Sequence, residues 1–446
     1  MQHAVKEIIQ KAKFAQGILE SKTETQINEL LFTIAANVLD HSEDLAKLNV
    51  EESGIGVTSD KKVKIEFVGK VVPQFMCPKK GVGVLRTDHE TGITEIACPV
   101  GVVFALIPVT NPVSTLLFKT LISLKTRNSI IFSVHPRTTK TAARTGAIVH
   151  EALDLLRFPR DLVYVIENSD DLDLVREFMQ NEEISLILAT GGPGVVRAAY
   201  QSGNPAIGVG AGNAPVMVCD DADIKTVART IVNGKSFDNG IICGSENNIV
   251  VTQQNAEELV TQLILDDAAV LKPREVELVT KTVFKPEGGI KAEFIGKSAQ
   301  HIASHAGIHR DYKIKLLVLP VPVTVDLSTP LVREKLAPIV SLLAVSTESA
   351  GFDICRGILQ QFGTGHTAII HSNDEKKIEE FSLLVPASRI LVNTPGSQGC
   401  IGMGNNLAPS FTLGCGTWGG GSTTDNINFK HLLNIKRIAR PKMNNE

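Results

Sequence analysis

The sequence predicts an α/β fold in which a parallel sheet covered on both faces is followed by a second α/β unit, and two observations carry this. From about residue 100, apolar runs rich in β-branched residues alternate with helix-like stretches: VGVVFALIP (100–108), SIIFSVH (129–135), LVYVIEN (162–168) and SLILAT (185–190). Strands that are apolar throughout belong to parallel sheets covered on both faces. The alternation restarts after Cys243 with NNIVV (247–251), KIKLLVLPV (313–321), HTAIIHS (366–372) and SRILVN (388–393). No Pro-rich or low-complexity linker divides the two units, so they are expected to pack together.

Upstream of the strands, Val5, Ile8, Ile9, Ala12, Ala15 and Leu19 recur at helical spacing among charged residues. This amphipathic helix either packs on its own domain or docks to a partner or protein shell. Its charges argue against a secretory signal. No run approaches the ~20 apolar residues of a membrane-spanning helix. Residues 61–99, ending in the alternating TGITEIA, and the Gly-rich stretch 413–421 fit neither repeat.

The 446 residues, 43% of them hydrophobic, are enough to fill large cores. A net charge of -3, with both signs dispersed, argues against nucleic acid as a partner. Seven cysteines lie scattered without CxxC pairs, which argues against a zinc site and against a disulfide framework. A reducing, cytoplasmic setting is expected.

Four places can carry chemistry. Thr190, Gly191 and Gly192 join a strand to a helix in SLILATGGPGVV, where a glycine-rich helix N-terminus can receive a phosphate. The loop is not GxGxxG, and Gly-Pro turns also serve simply to connect elements. Cys243 lies between Gly240 and Gly244 in KSFDNGIICGSENN. It is either a nucleophile or, like most cysteines, a small buried hydrophobe. Asn111 ends an apolar strand before Pro112, where its amide can donate to an oxyanion or its side chain can cap the helix. His366 opens a strand after FGTG, as a buried proton carrier or a strand-edge histidine.

Taken together, ATGGPG, GVGAGNAP, FDNGIICGSEN, REKLAP, GTGHTA, LVNTPGSQG and LAPSFTLGCGTWGG stand in the order and spacing of the acylating aldehyde dehydrogenases. The chain resembles that CoA-dependent branch of the aldehyde dehydrogenase superfamily, which includes the aldehyde half of bifunctional aldehyde/alcohol dehydrogenases, from about residue 5 to 440. The resemblance implies an aldehyde dehydrogenase-like fold: a doubly wound cofactor-binding domain over residues 1–235 with an arm segment at about 61–99, a catalytic domain over 236–412 carrying Cys243, and a crossover and oligomerisation segment over 413–446. A homodimer or dimer of dimers would follow. With the chain ending at Glu446, no room remains for an alcohol dehydrogenase domain, and a stand-alone enzyme is expected.

The resemblance also assigns roles. Cys243 matches the nucleophile, Asn111 the oxyanion donor and Glu334 the carboxylate that binds a nicotinamide ribose. Thr110, Gly192, Gly210 and Leu413 match positions lining the cofactor site, and His366 a histidine that assists proton transfer. Hydrolytic relatives carry a glutamate general base where this chain has Val209. Without that base water is a poor nucleophile, while the thiol of coenzyme A remains competent. The expected reaction is therefore oxidation of a short aldehyde, acetaldehyde or a small anionic one such as sulfoacetaldehyde or succinic semialdehyde, to its CoA thioester. NAD is the expected acceptor and NADP the alternative. His135 and Arg137, just after the second strand, are the candidates to choose between them, with Arg137 alternatively contacting the phosphates of CoA or simply solvated. The competing readings are a hydrolytic aldehyde dehydrogenase and a non-catalytic structural protein of the same fold.

Overall fold

A computed structural model describes residues 2–167, 170–286 and 288–441. Asn168, at the end of the expected LVYVIEN strand, and the last five residues of the expected C-terminal segment lie outside the described residues.

Four helices come first: α1 (Gln2–Glu20), α2 (Glu24–Asp40), α3 (Ser42–Ser53) and α4 (Thr58–Met76). Thr23 opens α2 with a capping box, its hydroxyl taking the Gln26 N–H and the Gln26 side chain taking the Thr23 N–H. The apolar stripe of α1 is spent on its own domain, because Val5, Ile9 and Ala12 are buried with Phe104, Ile131 and Phe178.

A hairpin of β1 (Gly83–Asp88) and β2 (Ile93–Pro99) follows. Then β3 (Val102–Ile107), α5 (Pro112–Lys125), β4 (Ser129–Val134), α6 (Thr139–Leu155), β5 (Val163–Val165), α7 (Leu172–Gln180), β6 (Leu186–Ala189), α8 (Pro193–Tyr200) and β7 (Ala206–Gly208) alternate. Their strands form a parallel sheet in the order β5-β4-β3-β6-β7. The winding direction reverses between β3 and β6, and such a reversal opens a crevice at the carboxyl ends of the two strands. There the Lys119 Nζ, fully buried, donates to the carbonyls of Leu106 and Leu188, each at 2.9 Å.

The second sheet begins at β8 (Ala214–Val218), continues after α9 (Ile224–Ser236) with β9 (Glu246–Thr252), and adds β10 (Ala268–Val270), β11 (Leu316–Pro320), β12 (Ile339–Val345), β13 (Gly365–His371) and β14 (Ala387–Val392). It is parallel throughout, in the order β10-β11-β12-β9-β8-β13-β14. Finally β15 (Leu433–Ile438) pairs antiparallel with β2, making a three-stranded sheet with β1.

Three expectations change. The expected division at residue 235 moves to the segment between Gly208 and Ala214, since β8 and α9 already belong to the second unit. Pro215 and a register irregularity at Ala214/Pro215 disguise β8 as a non-strand, proline being rare inside sheets. Of the expected arm at 61–99, residues up to Met76 are instead helix α4, which buries Ile65, Val68, Val72 and Met76 in the main core. Only β1, β2 and β15 form the separate sheet, whereas the 413–421 stretch turns toward the second sheet, with Cys415 backing onto Gly365.

Candidate active site

Cys243 sits between α9 and β9, after a tight turn in which Asp238 (φ 47°) and Asn239 (φ 54°) take left-handed backbone. Gly212 lets the chain preceding β8 press onto this loop. A Cβ there would stand 1.7 Å from the Cys243 carbonyl oxygen. Gly244 serves the same end on the other side, where a Cβ would lie 2.4 Å from Cys400 Sγ. Cys243 keeps part of its surface exposed, yet desolvation pushes its thiol well above the usual range. Cys400, Glu334 and Cys415 add to that rise and Arg389 opposes it, so the resting form is the thiol.

Glu334 reaches the same place. Its Oε1 accepts the Gly212 N–H at 3.2 Å, and burial raises its carboxyl to about 7 against the pull of Lys235, the Gly212 N–H and Lys335. Behind it, buried Lys235 donates to Ser245 Oγ (3.1 Å), Asn247 Oδ1 (3.1 Å) and the Lys335 carbonyl (2.7 Å). Burial drives Lys235 down and its neighbour Glu246 up, so both shift toward their neutral forms.

Asn111 occupies the cap position of α5, but its side chain makes no capping bond. Its Oδ1 instead receives the Lys64 ammonium, and its Nδ2 has only a 3.3 Å bond to Thr110 Oγ1. Lys61 donates to the Thr110 carbonyl at 2.9 Å, and both lysines pair with Asp238. The Thr110–Asn111 corner at the end of β3 is thereby fastened to the loop that carries Cys243.

Across the crevice, Thr190 Oγ1 lies 3.3 Å from Thr412 Oγ1. Gly191 leads to Gly192, which opens α8 without a side-chain cap, and a Cβ at Gly192 would meet nothing within 4 Å. This open helix N-terminus at the sheet's switch point fits a dinucleotide phosphate. Gly210 backs onto Cys415, and Leu413 is buried and bridges to Asn426. His366 is fully buried, its Nδ1 against Thr367 Oγ1 (2.9 Å) and its Nε2 without a partner among the described residues. Burial and Arg389 keep it well below the usual histidine range, so the ring is neutral.

His135 and Arg137 stand apart from this cluster, at the start of α6. The His135 Nδ1 accepts the Arg137 N–H at 3.2 Å, and the Arg137 guanidinium donates to the Ser53 carbonyl. Beside them Glu52 accepts the N–H groups of Lys140 and Thr141, each at 2.8 Å.

Residues 1–403 match the aldehyde dehydrogenase family. The chain belongs to that family. Among similar members of the aldehyde dehydrogenase family, the bifunctional aldehyde-alcohol dehydrogenase AdhE of Escherichia coli is 38% identical over 97% of this chain and 49% of its own length, so the chain spans about half of that relative. The succinate-semialdehyde dehydrogenase (acetylating) of Clostridium kluyveri is 34% identical over 98% of this chain and 95% of that protein. Among solved aldehyde dehydrogenase structures, the propionaldehyde dehydrogenase of Rhodopseudomonas palustris with bound CoA and an acylated cysteine superposes with a TM-score of 0.89 at 28% identity, covering 98% of this chain and 97% of that one.

Sequence reasoning missed Lys61, Lys64, Asp238, Arg389, Lys235 and Glu246. Asp238 and Glu246 sit in the same FDNGIICGSEN segment as Cys243, and that proximity was the available signal. Lys64 gave none, since it lies in the stretch taken for an arm.

Proposed function

We propose that the protein is a CoA-acylating aldehyde dehydrogenase that interconverts a short aldehyde and its CoA thioester through Cys243. The observation that carries this reading is the seating of Cys243 on Gly212 with a buried Val209, 6% exposed, at the position where hydrolytic relatives hold their base. The Cys243 sulfur, as thiolate, bonds to the aldehyde carbon, and the charge developing on oxygen is held by Asn111 Nδ2 and the Cys243 N–H. A nicotinamide dinucleotide would supply the hydride acceptor. Thr190, Gly191 and Gly192 would hold its phosphates, Glu334 would accept a ribose hydroxyl, and Thr110, Gly210 and Leu413 would line its path. Once the carbon has given up its hydride, a thioester remains on Cys243. The thiol of CoA attacks it, the acyl group leaves as acyl-CoA, and Cys243 is restored. The resemblance gives His366 the proton exchange of these steps; burial and Arg389, which hold the ring neutral, also make it a weak base.

Two finer points follow from spent hydrogen bonds. Arg137 is committed to Ser53, and Glu52 fills the α6 N-terminus beside it, so a 2′-phosphate there would meet a carboxylate. This supports NAD over NADP. Arg389 already serves Thr367, the Thr424 carbonyl and the His366 carbonyl, leaving it poorly placed to anchor a second carboxylate or sulfonate. This supports a neutral substrate, with acetaldehyde the first choice.

Partners are the aldehyde, CoA and a second copy of the chain, joined through the β1-β2-β15 sheet, where Val84 (47%), Leu85 (37%) and Ile438 (44%) are exposed. No helix among the described residues is long and apolar enough to cross a membrane. All seven cysteines are unpaired, which supports a reducing, cytoplasmic setting.

The test is reduced-cofactor formation from acetaldehyde, propionaldehyde, succinic semialdehyde and sulfoacetaldehyde, with NAD or NADP, with and without CoA. Turnover requiring CoA supports the acylating reading. Sustained turnover to free acid without CoA contradicts it.

A further inference from the structure

We propose that Lys64 is a positioning residue for aldehyde addition, its ammonium fixing the Asn111 amide so that Nδ2 is left for the oxyanion. This rests on the reading of Asn111 as the oxyanion donor. Lys64 is 1% exposed and donates to both Asn111 Oδ1 and Asp238 Oδ2. An ammonium offers donors only, so the amide atom facing it must be the oxygen, and Nδ2 must point away. An asparagine at the start of a helix ordinarily turns its oxygen onto the N–H groups of the first turn. Here that capping bond is absent and the oxygen is held by Lys64 instead.

Lys64 is itself anchored. The Asp238 carboxylate takes Lys61 at 3.3 Å and the Val57 N–H at 2.6 Å as well, while the Asp238 N–H goes to Asp60 Oδ2 at 2.7 Å. These bonds hold Asp238 and Asn239 in a left-handed pair, a backbone that Asp and Asn tolerate better than other non-glycine residues. Asp238 lies five residues before Cys243 in the chain. One buried carboxylate therefore ties the loop carrying the nucleophile, through Lys64, to the side chain that receives the oxyanion. Releasing Lys64 frees the Asn111 amide to rotate while leaving the Thr190–Gly192 crevice untouched.

The experiment compares Lys64→Met, Asn111→Ala and the double variant in CoA-dependent aldehyde oxidation, with NAD affinity and apparent Tm measured alongside. Expected are a kcat lower by about 10²-fold in Lys64→Met, an unchanged Kd for NAD, and a double variant no slower than Asn111→Ala alone. Should Lys64→Met not fold, Lys64→Thr, whose smaller side chain admits water, takes its place. It must slow the wild type and leave the Asn111→Ala background unchanged. An equal factor in both backgrounds, or no loss in the wild type, overturns the role of Lys64. Wild-type turnover in Asn111→Ala instead overturns the oxyanion reading itself, and the role of Lys64 with it.

Discussion

Glu334 combines a raised carboxyl with a place beside the Cys243 loop. With its titration at about 7, the carboxylate that is to accept a ribose hydroxyl is complete only above that pH. Affinity for NAD, followed by fluorescence titration between pH 6 and 8, is expected to strengthen as pH rises through 7, and Glu334→Gln to flatten the profile. In stability the sign is opposite. A carboxyl raised from 4.5 favours the folded state at low pH, and that contribution is lost as pH climbs through about 7. Val209 gives a second test at this scale. Val209→Glu restores a carboxylate where hydrolytic relatives have one, and is expected to cost stability while raising CoA-independent release of free acid, measured by product chromatography. Cys243 and Glu334 stood out as candidates because each falls in a quoted motif, and Asn111 because it ends an apolar strand before Pro112. Lys64 and Asp238 were not, because their partners lie 174 and 47 residues away in sequence, and only folding brings the three together.

Burial on two faces made β3, β4, β9 and β13 continuously apolar and legible in the sequence, though β12, comparably apolar and buried, was not singled out. The short strands β7 and β10 were passed over as well, and two further elements escaped for physical reasons. Helix α4 buries Lys61 and Lys64 on a face that would otherwise be apolar, which blurs the helical contrast, and it contains Pro73. Strand β8 carries Pro215 in the middle of its sheet. Buried lysine recurs in α5, where Lys119 bridges the carbonyls of Leu106 on β3 and Leu188 on β6. Burial lowers it well below the usual lysine range, and a neutral amine has two N–H donors for the two carbonyls it meets. Lys119→Met would leave the Leu188 carbonyl short of a donor in the interior and the Leu106 carbonyl with the Thr190 N–H at 3.3 Å. It is expected to destabilise by roughly 2–5 kcal/mol, read as a lowered apparent Tm and loss of NAD binding at the switch point.

At the scale of the molecule, the N-terminal helices and the second sheet's loops are clamped together. Gly56 donates to the Gly296 carbonyl (2.9 Å), Asn239 Nδ2 to the same oxygen (2.8 Å), and Lys297 Nζ to the Gly54 carbonyl (2.5 Å). The crevice thus lies between parts held in fixed relation, as chemistry shared by residues 111, 243 and 334 requires. The three-stranded sheet stands outside this clamp with Val84, Leu85 and Ile438 exposed. Val84→Asp with Ile438→Asp is expected to shift sedimentation toward the monomer without unfolding the chain. An unchanged assembly would remove the sheet from the interface. The central claim is the covalent acyl group on Cys243, and mass spectrometry of the protein after exposure to acetaldehyde and NAD without CoA tests it most directly. An acyl increment on the peptide containing Cys243, discharged when CoA is added, is the predicted result. No adduct, an adduct on another residue, or loss to water as fast without CoA as with it would contradict the account.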